Sequence, residues 1–137
     1  LMFSKPYKQY DVTGAHPENS WLSKNVENVK AYYANPLDNY MFSVNGYRVL
    51  LTATLFDNQA ENIAKMNKDM PILFVSGDGD PVGNLGVGVR EAYDRFVKSG
   101  INDVSMHLFH GDRHEILNET DREQVRAYIM DWVEKHI

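Results

Sequence analysis

PILFVSGDGD at residues 71–80 and VSMHLFHGDRH at residues 104–114 decide the fold of this chain, because they are two copies of one design. Ile72 to Val75 is apolar without alternation, the pattern of a strand covered on both faces, and Pro71 opens it. Val104 to Phe109 reads as a second strand. Each strand runs into a loop that ends on a group capable of acid–base chemistry, Asp80 in the first and His114 in the second.

What lies around these strands completes an alternation. Gly77, Gly79, Pro81 and Gly83 mark a turn-rich loop. Leu85, Val89, Ala92 and Phe96 follow at helical spacing, with Lys98 near the end and Gly100 as a stop. After the second loop, Thr120 and Glu123 form a capping-box pattern ahead of Val125, Ile129, Trp132 and Val133, which share one helical face. The order strand, helix, strand, helix predicts an α/β fold with a parallel pair and a right-handed crossover. Two parallel strands are too few for a stable open sheet. The expectation is therefore that further strands come from a second copy or from sequence upstream.

Residues 1–56 read differently. Ser20 to Ala34 is predicted helical, with Val26, Val29 and Tyr33 on one face and Asn35-Pro36 as the terminator. Tyr47 to Phe56 fits a strand through Val49, Leu51, Ala53 and Leu55, and a helix through Tyr47, Leu50, Leu51 and Thr54. Asn58 to Asn67 is predicted as a short amphipathic helix carrying Ile63 and Met66. Tyr7, Tyr10, Trp21, Tyr32, Tyr33, Tyr40, Phe42 and Tyr47 make this region aromatic.

Composition narrows the functional classes. A chain of 137 residues fits one compact domain. Its 14 basic and 19 acidic residues give a net charge of −5 without a Lys/Arg run, which argues against nucleic acid. No cysteine means no disulfide, no thiolate metal site and no cysteine nucleophile, and favours a reducing compartment, with a cytoplasmic location as the expectation, or a lineage that avoids cysteine. No stretch is apolar enough to span a bilayer, and LMFSKPYKQY lacks a secretory pattern, although a chain opening on Leu1 need not begin at a native start, which leaves an upstream address open.

In open α/β sheets, function gathers beyond the carboxyl ends of the strands, where Asp80 and His114 both fall. A carboxylate accepting the imidazole Nδ1–H fixes the tautomer and stabilises the imidazolium formed when Nε2 takes a proton from a hydroxyl. The arrangement is a catalytic triad without its serine. Ser76 sits at a strand end but is read as a satisfied strand hydroxyl, and Ser4, Ser20, Ser23, Ser43, Ser99 and Ser105 lie in helix-start, turn or strand contexts.

Gly77-x-x-Asp80-Pro81-Val82-Gly83 and Phe109-x-Gly111-x-Arg113-His114-Glu115-x-x-Asn118-Glu119 resemble the C-terminal part of α/β-hydrolase fold serine hydrolases, in the monoacylglycerol lipase, lysophospholipase and serine aminopeptidase-like group. The resemblance is strong over residues 70–137 and weaker upstream, where Asn35-Pro36-Leu37 and the aromatic stretch to Asn45 resemble a helical cap. It implies residues 1–56 as partial cap and 57–137 as core segment, with Asp80 orienting His114 as general base. It selects Asp80 over Asp78, which is read as a solvated loop residue. The G-x-S-x-G elbow and the oxyanion-hole loop of that family do not occur here, so the resemblance places the nucleophile before residue 1. It further implies a lipid-like acyl ester substrate for the parent, an aromatic-lined acyl pocket, no metal or organic cofactor, and no activity in this chain alone.

Around His114, a local Asp112–Arg113 ion pair is expected to hold the imidazole in place, with Glu115, Asn118 and Glu119 tying down the loop. Competing motifs fit less well. His114-Glu115-x-x-Asn118 has asparagine where a zinc helix needs its second histidine, and of the possible cluster His107, His110 and His114, His107 is expected to lie within the strand on the face opposite Met106 and Leu108. Asp78-Gly79-Asp80 lacks the later ligands of a calcium loop, and its charge opposes a dinucleotide phosphate. The alternative from another class is a non-enzymatic binding or assembly module, a homo-oligomer formed by strand pairing.

Overall fold

The computed structural model describes residues 5–38 and 40–137. Ser4, one of the serines set aside above, and Asn39, within the cap-like stretch, lie outside the described residues. The strands form where the sequence places them, the first on the unalternating run at Ile72–Val75 and the second at Val104–Phe109. Strand β1 spans Ile72–Gly77 and β2 spans Val104–Phe109, paired in parallel from Ile72↔Val104 to Gly77↔Phe109. Helix α4, Val87–Lys98, covers the face of Phe74, whose ring meets Phe96 edge-on at 5.0 Å. Helix α5, Arg122–Glu134, covers the other face, where Tyr128 stacks on His107 at 4.4 Å. The alternation of side chains along each strand thus feeds two helices, and the expected α/β fold is present.

Several boundaries moved, each for a local reason. Helix α1 spans Val26–Ala34 rather than starting at Ser20, because Asn25 caps it by accepting the Asn28 N–H at 3.3 Å. Residues 20–25 stay non-helical and bond the loop around His114 instead. The ambiguous segment is helix α2, Val44–Asp57, started by Ser43 accepting the Gly46 N–H. Helix α3 is one turn, Ala60–Ile63, closed off by i−3 bonds from Lys65 and Met66. Leu85 does not join α4: Asn84, Leu85 and Gly86 take successive left-handed conformations at φ 52°, 55° and 83° before the helix begins. Gly100, also left-handed, ends α4 as expected.

The capping box at Thr120 is not made. Asp121 takes the N-cap position without a side-chain cap bond, and Glu123 pairs with Arg126 at 2.8 Å. Leu22, Val29, Ile63, Ile101 and Val125 form the buried apolar core. Among the described residues, no helix is long and apolar enough to cross a membrane.

Candidate active site

The two strand ends deliver their loops to one place. Asp80 lies three residues beyond β1, its side chain 8 % exposed, with one oxygen accepting the Val82 N–H at 2.8 Å. Its other oxygen, Oδ2, meets His114 Nδ1 at 3.1 Å. The imidazole is 39 % exposed, and the Nδ1 contact leaves Nε2 to exchange a proton. The hydrogen bond to Asp80 raises the His114 pKa above its ordinary value. Burial works against this, and the charges of Asp80 and Glu115 add to it. Chemically, the pair is a base whose protonated form is stabilised by a nearly buried carboxylate.

Close approach of the two loops depends on glycine at position 77. A Cβ there would stand 2.0 Å from the Asp112 carbonyl oxygen, so any other residue would push the His114 loop off the end of β1. The same carbonyl accepts the Gly79 N–H at 2.8 Å, joining the loops directly. Asp78 is not merely solvated. It accepts the Gly111 N–H at 2.6 Å and contacts His110 Nδ1 at 2.8 Å, forming a second bridge between the loops. Partial burial pushes its carboxyl up, but these contacts with Gly111 and His110 outweigh it and hold the pKa low.

The expected Asp112–Arg113 ion pair is not formed, because the two side chains face different partners. Asp112 is fully buried and pairs with Lys24 Nζ, while its Oδ2 has no partner among the described residues. Burial pushes the Asp112 carboxyl up against the pull of that ammonium. Lys24 itself is held above its ordinary value: burial opposes its charge, and Asp112, Asp121 and Glu119 more than compensate. The Arg113 guanidinium bonds the carbonyls of Ser20 and Ser23 and lies 5.0 Å from the Tyr10 ring centroid.

Glu119 ties the loop down, as expected, and does so from a fully buried position. It accepts from Ser23 Oγ at 2.9 Å, Lys24 N–H at 2.8 Å and Arg113 N–H at 2.8 Å. Glu115 accepts from Asn28 and Asn118 side chains, and the Asn118 carbonyl from Asn25. The Ser76 hydroxyl donates to the Gly77 carbonyl at 3.4 Å. His107, His110 and His114 go to three different partners, Tyr128, Asp78 and Asp80.

Sequence reasoning did not single out Lys24, Ser23 or the placement of Trp21. Trp21 lies 5.1 Å from the His114 ring, centroid to centroid, tilted by 37°. Tyr10 donates to the Gly79 carbonyl at 2.8 Å. Their partners lie far away in sequence, and no local pattern announces them.

A parallel strand pair between helices, with a carboxylate–imidazole pair beyond its carboxyl end, is where function gathers in an open α/β sheet. The family described as serine aminopeptidase, S33, matches residues 2–121, and the chain belongs to that family. Among solved structures it is similar to a thermostable carboxyl esterase from Bacillus coagulans in complex with glycerol, with 25 % identity and a TM-score of 0.74. It is also similar to a lipase in its open form, with 25 % identity and a TM-score of 0.81. Each alignment covers 98 % of this chain and 43 % of the other, so this chain spans less than half the length of those enzymes. No curated protein matches it by sequence.

Proposed function

We propose that this chain supplies the acid and base of a Ser-Asp-His triad in a carboxylic ester hydrolase, with Asp80 orienting and His114 as general base. The observation that carries the reading is the Asp80 Oδ2 to His114 Nδ1 contact at the ends of adjacent parallel strands. In the reaction, His114 Nε2 takes the proton of a serine hydroxyl as it attacks the ester carbonyl. The imidazolium then returns the proton to the departing alcohol, and water repeats the sequence on the acyl-enzyme. The serine and the oxyanion-hole amides belong to parts of the fold outside this chain. The substrate is a lipid-like acyl ester, an acyl glycerol or lysophospholipid, with cap aromatics of residues 1–56 lining the acyl site above the 57–137 core segment. The location is cytoplasmic.

By itself the chain is inactive on this reading. Turnover of a p-nitrophenyl ester by the chain alone, abolished by His114→Ala, would sink it and require a local nucleophile. A second reading rests on a separate observation: the sheet has only two strands among the described residues, and α2 exposes Leu51, Leu55 and Phe56. These features suit an assembly module that pairs strands with another copy. The coding sequence just upstream separates the two. An in-frame G-x-S-x-G supports the hydrolase, and a genuine start codon at this point supports the module.

A further inference from the structure

We propose that Trp21 is a positioning residue for His114, holding the imidazole toward Asp80 and stabilising its protonated form; this rests on the triad reading. Residues 20–22 run beside residues 113–115 and are fastened on both sides of the ring pair. The Arg113 guanidinium bonds the Ser20 carbonyl before it, and the Glu115 N–H bonds the Leu22 carbonyl at 2.9 Å after it. This spacing sets Trp21 opposite His114 independently of the ring contact.

The indole is fastened as well. Its Nε1–H donates to the Tyr33 hydroxyl of α1 at 3.4 Å, and Tyr7 packs against it at 5.9 Å between centroids. Trp21 N–H bonds the Asp11 carbonyl at 3.3 Å, which anchors the segment from its other side. A half-buried tryptophan with fixed backbone and fixed ring is a wall and not a mobile cover. At 5.1 Å and 37° the imidazole lies within the range where a cation is attracted to an aromatic face. The attraction exists only when His114 is protonated, so it favours the imidazolium through which the proposed reaction passes.

Among the described residues, three further groups bear on the imidazole. Asp80 faces it from the β1 loop, Glu115 belongs to its own loop, and Tyr7 lies on the Trp21 side, where its phenol senses Asp80. The neighbouring Arg113 guanidinium is directed to the Ser20 and Ser23 carbonyls. Among the described residues, Trp21 is thus the aromatic ring against the imidazole, beside the carboxylates of Asp80 and Glu115.

Nuclear magnetic resonance of this chain tests the proposal without requiring ester hydrolysis. The His114 ring signals, assigned by their loss in His114→Ala, are followed through a pH titration. Trp21→Leu is expected to lower the proton-binding constant of His114 about threefold and to broaden the low-field Nδ1–H signal of the Asp80 bond. Trp21→Phe should restore most of both. An unchanged titration and an intact low-field proton in Trp21→Leu overturn the positioning role.

Should Trp21→Leu fail to fold, a second measurement decides. Trp132 stacks on His136 at 4.0 Å, so Trp132→Phe removes its emission and leaves Trp21 as the reporter. Its emission should follow the His114 titration and lose that step in His114→Ala; emission indifferent to His114 overturns the proposal. Asp80→Asn separates the two claims. If Asp80→Asn alters the titration and Trp21→Leu does not, only the positioning role falls. If Asp80→Asn leaves it unaltered, the triad reading falls and takes the positioning role with it.

Discussion

The loop beneath His114 and the helix α2 invert each other's burial. Under the loop, Asp112, Glu119, Ser20 and Ser23 are all fully buried, and Lys24 and Arg113 reach in to bond them. Along α2, Val49, Leu50, Leu51, Leu55 and Phe56 are all exposed, and no residue of the helix is buried. Polar groups can be buried when partners satisfy them, and these partners all come from within the chain. Apolar groups on α2 have no such cover among the described residues. The loop end therefore satisfies nearly all of its buried polar groups internally, Asp112 Oδ2 being an exception, whereas α2 offers an apolar surface larger than isolated exposed residues explain.

The sharpest way to break that comparison is Glu119→Ala. It leaves the Ser23 hydroxyl and the Lys24 and Arg113 N–H groups without their buried acceptor, and should cost about 3–5 kcal/mol by chemical denaturation. A loss under 1 kcal/mol would mean that water or another group replaces the carboxylate and the loop is not self-contained.

Lys24→Met comes next. It strands the buried Asp112 carboxylate and should cost about 2–3 kcal/mol at neutral pH, while the double variant Lys24→Met/Asp112→Asn should recover more than half of that loss. Additive losses in the two single variants would show that the pair is not coupled.

A smaller effect is expected from His114→Gln, and it depends on pH. The folded pKa of His114 lies above its ordinary 6.5, so the stabilisation is fully present below 6.5 and fades as pH rises through the folded value. The stability gap between the protein and the variant should therefore be wider at pH 5.5 than at pH 9. With the ring two-fifths exposed, the pH-dependent part should stay below about 1 kcal/mol. A gap that widens toward high pH would contradict the Asp80 pairing.

Leu55→Gln should have the least effect. The side chain is 68 % exposed, so stability should change by less than about 0.5 kcal/mol in thermal or denaturant melts. A loss above 2 kcal/mol, with a fall in solution mass, would reveal that this face is covered by another copy.

The same two regions show how far sequence reasoning reached. Both strands and the Asp80–His114 pair were legible, since a short strand-like segment followed by a glycine-containing loop and an ionisable residue is a local pattern. The role of Glu119 as an anchor was legible too, from its place just before a helix. Residues 20–25 were expected to extend the helix whose face carries Val26, Val29 and Tyr33, whereas the bonds of Ser23 and Lys24 to Glu119 and Asp112 that hold the segment lie 88–96 positions away. The Asp112–Arg113 pair failed for the same reason: adjacent opposite charges invite pairing, and burial sent each to a distant partner. Helix and strand periods overlapped at Tyr47–Phe56, and the Ser43 cap accompanies the helical outcome.

Sequence alone determined the strand–helix alternation, the two loops and the chemical types they present, because periodicity and turn residues act over a few positions. Tertiary structure alone decided which polar groups became buried pairs and which ring faces His114. Lys24 meets Asp112, and Trp21 meets His114, only after the parallel pairing of β1 and β2 has brought the loops together and the 20–25 segment has been laid against them. Contacts across such separations are fixed by topology and desolvation, which no short stretch of sequence encodes.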